Sequence, residues 1–272
     1  MEIKSQFIQL DKLKLHYLEA GKGDPVLLLH GWPTSSYLWR NIIPEMAKTN
    51  RVIALDLPGF GQSDKPLGAS YSFPFFSGVI DDFLAALRIK KLGLAVHDLG
   101  GPVGLYWACK NRERVTRLAL LNTLIYPEMS WAVVLFVAVC RLPVAGGLIS
   151  SPRGIRFSMR YGVDNKGNLD GEPLAAYQAP FADKASRKAL LKAAYGLHPK
   201  GFKKIATALP YFDCPVRVVY GENDRILPDV EKTMTRVKRD LPQAEVTSLP
   251  GCGHFLQEDK PEEVARLLAD FF

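Results

Sequence analysis

The stretch Leu92–Gly104, LGLAVHDLGGPVG, decides how the chain is read. An apolar run stops at His97-Asp98, a pair of glycines follows at Gly100-Gly101, and a helical pattern runs over Val103 to Lys110. Strand, tight turn and helix in immediate succession hold one side chain up at the carboxyl end of a sheet. Here that side chain is the carboxylate of Asp98. Taken alone, an Asp at the start of a helix reads as an N-cap. Its meaning depends on what the other strand ends carry.

Outward from this stretch, buried strands alternate with helices. Ser5–Leu10 and Leu13–Ala20 alternate apolar and polar residues about a turn at Asp11-Lys12, the pattern of an antiparallel edge. VLLLH, Arg51–Leu55, Leu92–His97 and Arg117–Leu121 are short apolar runs expected to be buried on both faces. Helices are expected over about Tyr37–Lys48 and Phe76–Leu87. This alternation predicts a mostly parallel sheet with right-handed crossovers. It breaks between Leu124 and Thr207, where helical patterns are interrupted by six prolines and no strong strand occurs. It resumes with Val216–Tyr220, a helix near Val230–Arg239, strand Glu245–Ser248 and a closing helix from Pro261. The expectation is one α/β core domain, residues 1–123 and 208–272, with a helical cap domain, 124–207, inserted as a lid over the carboxyl ends of the strands.

Composition narrows the class. The chain has 272 residues, 47% hydrophobic and 23% charged, which is ordinary for a globular protein. Net charge is +7, but the basic residues are scattered. Their densest group, Lys232, Arg236, Lys238 and Arg239, lies on an expected helix and reads as a solvated face, so no nucleic-acid partner is expected. Four cysteines (Cys109, Cys140, Cys214 and Cys252) show no CxxC spacing and read as reduced thiols. The first residues lack the apolar core of a signal peptide, and a cytoplasmic location is expected. The most apolar stretch, Trp131–Cys140, is too short to span a bilayer. Extended to Leu148, the stretch suits the lining of a lipophilic site in the cap, with weak contact to a membrane surface as a second reading. Oligomeric state is not readable.

In an open parallel sheet, ligands bind outside the carboxyl ends of the strands. Those ends carry His30-Gly31-Trp32-Pro33, Asp56, Asp98, Asn122, Gly221-Glu222-Asn223-Asp224 and Gly251-Cys252-Gly253-His254. Each group has a plain reading as cap or buried polar residue. Jointly, Asp98, Asp224 and His254 have the order nucleophile, acid, base of a hydrolytic triad, with a carboxylate in the place of the commoner Ser. A carboxylate is already ionised at neutral pH and can displace a leaving group from an sp3 carbon, forming an ester. His254 would then activate water against that ester, with Asp224 orienting the imidazole. His97 is read as structural. No metal or organic cofactor is called for.

HGWPTSSYLWRNIIP, DLPGFGQSDKP, VHDLGGPVGL and LPGCGHFLQEDKPEEV resemble the haloalkane dehalogenase and epoxide hydrolase branch of the α/β-hydrolase fold. The resemblance runs along nearly the whole chain and is weakest in the insertion. It implies Asp98 as nucleophile, His254 as base and Asp224 as acid, because the other acid position, after Leu121, holds Asn122. It implies an oxyanion hole made by the backbone N–H groups of Trp32 and Leu99. Val96, two residues before Asp98, is bulkier than the family's usual Gly.

The same resemblance separates two leaving groups. Dehalogenases hold the halide between side-chain N–H donors, usually an Asn after the HG pair and a Trp after the nucleophile. This chain has Trp32 and Leu99 there, and Leu99 carries no donor. Epoxide hydrolases use cap tyrosines as acids, which would be Tyr195 with Tyr161 or Tyr177. The expected activity is hydrolysis of an apolar epoxide to a diol, with haloalkane dehalogenation as the alternative. A non-catalytic ligand-binding protein on the same scaffold is the third reading.

Overall fold

The computed structural model describes residues 2–272. Eight strands form one sheet in the order β1-β2-β4-β3-β5-β6-β7-β8. They are β1 (Lys4–Gln9), β2 (Lys14–Ala20), β3 (Asp24–Leu29), β4 (Asn50–Leu55), β5 (Leu92–Asp98), β6 (Val115–Thr123), β7 (Val216–Gly221) and β8 (Glu245–Leu249). β3 to β8 are mutually parallel, and only β2 runs against its neighbours. The central strands read as continuous apolar runs because helices cover both faces, and every residue of β5 is buried.

The flanking helices of the first half are α1 (Ile43–Met46), α2 (Phe73–Ala86) and α3 (Gly100–Ala108). Between β6 and β7 come α4 (Trp131–Arg141), α5 (Pro143–Ile149), α6 (Pro152–Gly162), α7 (Glu172–Gln178), α8 (Lys184–Tyr195) and α9 (Pro199–Ala208), with no strand among them. α10 (Val230–Asp240), α11 (Leu256–Asp259) and α12 (Pro261–Ala269) complete the chain. Local chemistry sets several of the starts. Ser72, Ser130 and Ser151 each accept a backbone N–H of the first turn, and Pro stands in the first turn of α5, α6, α7, α9 and α12.

The expected helix over Tyr37–Lys48 is instead a 3-10 turn at Ser36–Trp39 followed by the single turn of α1. Pro44 lacks the N–H that would bond the carbonyl of Arg40, so a continuous helix is broken there. In the opposite sense, α3 begins at Gly100, earlier than its apolar pattern suggests. The chain turns from strand to helix within one residue.

That tight turn is made possible by missing side chains. Asp98 has φ +49°, in the left-handed region disfavoured for residues with a Cβ. A methyl group on Gly100 would overlap the carbonyls of Leu29 and His30, and one on Gly101 would overlap Oγ1 of Thr123. Gly101→Ala is expected to cost about 1–3 kcal/mol through this overlap. Thr123→Ala should recover part of that loss in the double variant, and urea denaturation of the four proteins measures it. Strictly additive costs would remove this account of Gly101.

Candidate active site

β3 lies between β4 and β5, so the chain leaves β3 toward one edge of the sheet and later returns to its other side. Such a switch point opens a crevice at the carboxyl ends of the two central strands. Trp32, just past β3, and Asp98, the last residue of β5, meet across it. The Trp32 backbone N–H donates to Oδ1 of Asp98 at 2.6 Å. Gly31 makes room for this contact, because a Cβ there would collide with the Asp98 carboxylate. The Thr123 hydroxyl donates to the Asp98 carbonyl at 2.6 Å and ties the turn to β6.

The other carboxylate oxygen of Asp98 faces His254, whose Nε2 is 3.4 Å from Oδ2. At that length the contact is an ion pair without a formed hydrogen bond, and Nε2 has no other partner among the described residues. His254 Nδ1 lies 2.8 Å from Oδ2 of Asp224. Asp224 is itself fixed: Oδ1 accepts the N–H groups of Ile226 and Leu227, and Oδ2 accepts Asn122 Nδ2 at 2.7 Å. The three residues that the sequence pattern nominated from three strand ends are thus joined in one line, all of them buried.

Burial opposes charge on each of them, but mutual attraction wins. Desolvation alone would lower the His254 pKa, yet the Asp224 and Asp98 carboxylates raise it to about 10. Desolvation would likewise raise both carboxyls, and His254 holds each below its usual value, helped by the Leu99 N–H at Asp98 and the Leu227 N–H at Asp224. At neutral pH the cluster is an imidazolium between two carboxylates, with one negative charge in excess. His97 is neutral beside it, its pKa lowered to about 4 first by burial and then by His254. Its Nε2 bonds the His254 carbonyl at 2.9 Å, which makes that nitrogen the protonated one. His30 is neutral too: Nδ1–H donates to the Gly31 carbonyl and Nε2 accepts the Leu57 N–H, bracing the loop that presents Trp32.

An alpha/beta hydrolase fold profile matches residues 24–138. Over its full length the chain is 30% identical to a soluble epoxide hydrolase from a Corynebacterium species, covering 98% of that protein. It is 28% identical, again over its full length, to a cis-3-alkyl-4-alkyloxetan-2-one decarboxylase from Shewanella oneidensis, covering 89% of it. Among solved structures, a haloalkane dehalogenase from Bradyrhizobium elkani superposes with a TM-score of 0.86 at 28% identity, over 99% of this chain and 97% of that one. The chain belongs to the haloalkane dehalogenase and epoxide hydrolase branch of the α/β hydrolases.

In this hydrolase the three nominated tyrosines part company. Tyr161 is 47% exposed and lies stacked on Phe157 at the outer surface of α6. Tyr177 is fully buried, but its hydroxyl is donated to Glu258 and also accepts from Arg40 at 3.4 Å. The exposure of Tyr161 and the commitment of the Tyr177 hydroxyl to Glu258 weigh against either as the acid. Tyr195, at the end of α8, is half-buried, its hydroxyl bonds nothing among the described residues, and the Arg141 guanidinium stands 5.7 Å from its ring centre. The Leu99 side chain is 8% exposed and brings no donor. The Trp32 indole N–H is buried without a partner among the described residues, and its ring meets Phe136 of α4 edge-on, with centroids 4.7 Å apart.

Two features of the site lay outside the sequence reading. Asn122, set aside as unable to serve as the acid, clamps the acid: its amide N donates to Asp224 and its amide O accepts the Gly221 N–H. Its positive φ of +29° marks a constrained strand end. The second is a buried cluster in which Arg40 makes a bidentate pair with Glu258, 2.6 and 2.8 Å, and Tyr177 shares the same carboxylate. It fastens α7 to the loop after β3 and to α11, two residues beyond Leu256 on the segment that carries His254. Arg40→Ala would strand the Glu258 carboxylate in a buried place and is expected to cost about 3 kcal/mol. The Arg40→Met/Glu258→Leu pair should recover most of it in chemical denaturation.

Proposed function

We propose that this hydrolase uses Asp98 as a nucleophile and passes through an alkyl ester on that residue, with an apolar epoxide as substrate and a diol as product. The observation that carries the reading is the division of labour on the Asp98 carboxylate. Oδ1 already accepts the Trp32 N–H, and Oδ2 stands toward His254 with no hydrogen-bond donor committed to it. The segment 124–207 serves as the cap over this site.

Oδ2 attacks an sp3 carbon of the ring, the carbon–oxygen bond breaks, and the ring oxygen takes a proton from Tyr195. Esterification removes one of the two negative charges that hold the proton on His254. The imidazolium then loses its proton, through solvent, to the Tyr195 phenolate, and the neutral ring can act as base. His254 takes a proton from water, whose oxygen attacks Cγ of Asp98. The oxyanion forms on Oδ1, where the Trp32 and Leu99 N–H groups receive it. Collapse breaks the Cγ–Oδ2 bond, the departing alkoxide takes up the proton of the new carboxyl by way of His254, and the diol leaves with the Asp98 carboxylate and the imidazolium restored. Asp224, fixed by Asn122 and two backbone N–H groups, keeps the imidazole oriented throughout.

One observation favours haloalkanes as a second reading. The buried indole N–H of Trp32 lacks a partner, and an unpaired buried donor costs about 1–3 kcal/mol unless a ligand meets it. A halide would meet it, but Leu99 supplies no second donor. Tyr195 provides a transferable proton, which a ring oxygen needs and a halide does not.

His254→Gln is expected to trap the ester. Intact mass after incubation with epoxide and haloalkane panels identifies the substrate class, since an epoxide adds its whole mass and a haloalkane only its alkyl part. No adduct with any electrophile, together with full activity of Asp98→Asn, would end the proposal.

The two half-reactions should also differ in pH dependence. The Asp98 pKa is depressed, so ester formation stays flat through neutral pH and fails only as acid protonates the carboxyl. Ester hydrolysis needs neutral His254, so its rate should rise with pH up to the His254 pKa of the esterified enzyme, which lies below the resting value of about 10. Stopped-flow single turnovers at a series of pH values separate the two. A hydrolysis rate that falls as pH rises would contradict His254 as the base.

A further inference from the structure

We propose that the outward face of α4, α5 and α6 docks this protein on an anionic phospholipid surface. Of the twelve large hydrophobic side chains exposed among the described residues, eight lie between Trp131 and Tyr161. Exposed apolar residues scattered singly need no explanation, but eight within one stretch of about 30 residues do.

The pattern within the helices is orderly. α4 turns Val133 and Cys140 inward, and Phe136 against Trp32. Its opposite stripe, Trp131, Val134, Leu135 and Ala138, has the i, i+3, i+4, i+7 spacing of one helix face, and every member is exposed and uncharged. A helix in water would carry polar residues there. α5, which packs on α4, also leaves apolar side chains in solvent: Val144, 78% exposed, and Leu148. The chain bends by 109° between α4 and α5, and no single helix among the described residues is long and apolar enough to cross a membrane. Two short apolar helices meeting at a corner suit shallow insertion into one leaflet.

Charge identifies the partner. From Met129 to Val163 there is no Asp or Glu, and there are four arginines: Arg141, Arg153, Arg156 and Arg160. On α6 they alternate with aromatics. Arg153, Arg156, Arg160 and Lys166 surround the stacked pair Phe157–Tyr161 in a shallow surface depression. Arg160 is paired with Asp170, which leaves Arg153 and Arg156 without an acidic partner among the described residues. Cations and aromatic rings beside an apolar ridge match the phosphates and the interfacial layer of an anionic membrane. A second copy of the chain fits this face poorly, since a two-fold contact would set arginines against arginines. The docking face and the site share α4, which lays Phe136 on Trp32 from its other side. A lipid-dissolved substrate would therefore meet the enzyme one helix thickness, about 10–12 Å, from Trp32.

Flotation of the full chain with phosphatidylcholine vesicles, with and without phosphatidylglycerol, tests this. Binding is expected to require phosphatidylglycerol and to weaken with salt. Trp131→Ser/Leu135→Ser/Val144→Ser and Arg153→Gln/Arg156→Gln should each lower vesicle affinity by about tenfold or more, with unchanged melting temperatures because all five side chains are exposed. Asp98→Asn should bind like the parent, so an error in the chemical assignment would not affect this result. No binding to phosphatidylglycerol vesicles at low salt, or equal binding by both sets of variants, would overturn the proposal. So would a vesicle-free dimer in sedimentation that the triple Ser variant dissolves, since the face would then serve self-association.

Discussion

The site depends on one strained residue. Asp98 sits at φ +49° on the last position of β5, a conformation that costs a residue with a Cβ about 1–2 kcal/mol. The strain lifts the carboxylate out of the sheet and starts α3 with only Leu99 between, and surrounding contacts offset it. The Thr123 hydroxyl takes the Asp98 carbonyl and the Trp32 N–H takes one carboxylate oxygen. Gly31, Gly100 and Gly101 are bare because β3, β5 and β6 close in at this point, so that a Cβ on any of the three would overlap a neighbour. The close packing of three adjacent strand ends and the exposure of one carboxylate are the same fact.

Electrostatics then set what the carboxylate is ready to do. Two carboxylates and one imidazolium are buried together, and each charge is tolerated only because the others are near. The neighbours that could have disturbed this balance are neutral. His97 donates its Nε2–H to a backbone carbonyl, and Asn122 offers an amide where a third carboxylate would repel Asp224. A site with one excess negative charge draws cationic or electrophilic centres, and it loses that excess when an alkyl group arrives on Asp98. The proposed chemistry therefore switches its own base from charged to neutral between the two half-reactions.

Much of this was legible in the sequence, for physical reasons. Strands buried on both faces must be apolar along their whole length, so β3 to β6 stand out, and the polar residues at their ends mark where the sheet opens. Glycines near Asp98 were legible because only a close approach demands them. The helix misread over Tyr37–Lys48 shows the limit: its apolar spacing was sound, but Pro44 removed one hydrogen bond and the segment became two turns. The tyrosines show a deeper one. The resemblance nominated Tyr161, Tyr177 and Tyr195 in the helical insertion, but it could not show that the Tyr177 hydroxyl is claimed from elsewhere in the fold. Glu258, which holds Tyr177, is 81 residues away in sequence. Asn122 was overlooked because an amide cannot serve as the acid, and its value lies in a contact across 102 residues.

As a sequence, the apolar stretch Trp131–Leu148 reads as the lining of a lipophilic site, but only one side of α4 is turned inward. A helix that packs one face on a core needs an apolar stripe of roughly 100°, and the rest is free to be polar at no cost to folding. α4 is apolar on both sides, although water gains nothing from the outer one. Core packing explains Val133, Phe136 and Cys140, but it gives no reason for Trp131, Val134 and Leu135. The proposed lipid contact accounts for the outer stripe, and the acid-free, arginine-bearing sequence around it is the reason for taking that lipid to be anionic. A lipid surface of that kind would also supply an apolar substrate. The substrate is already concentrated and oriented beside α4, and the enzyme does not have to draw it from dilute solution.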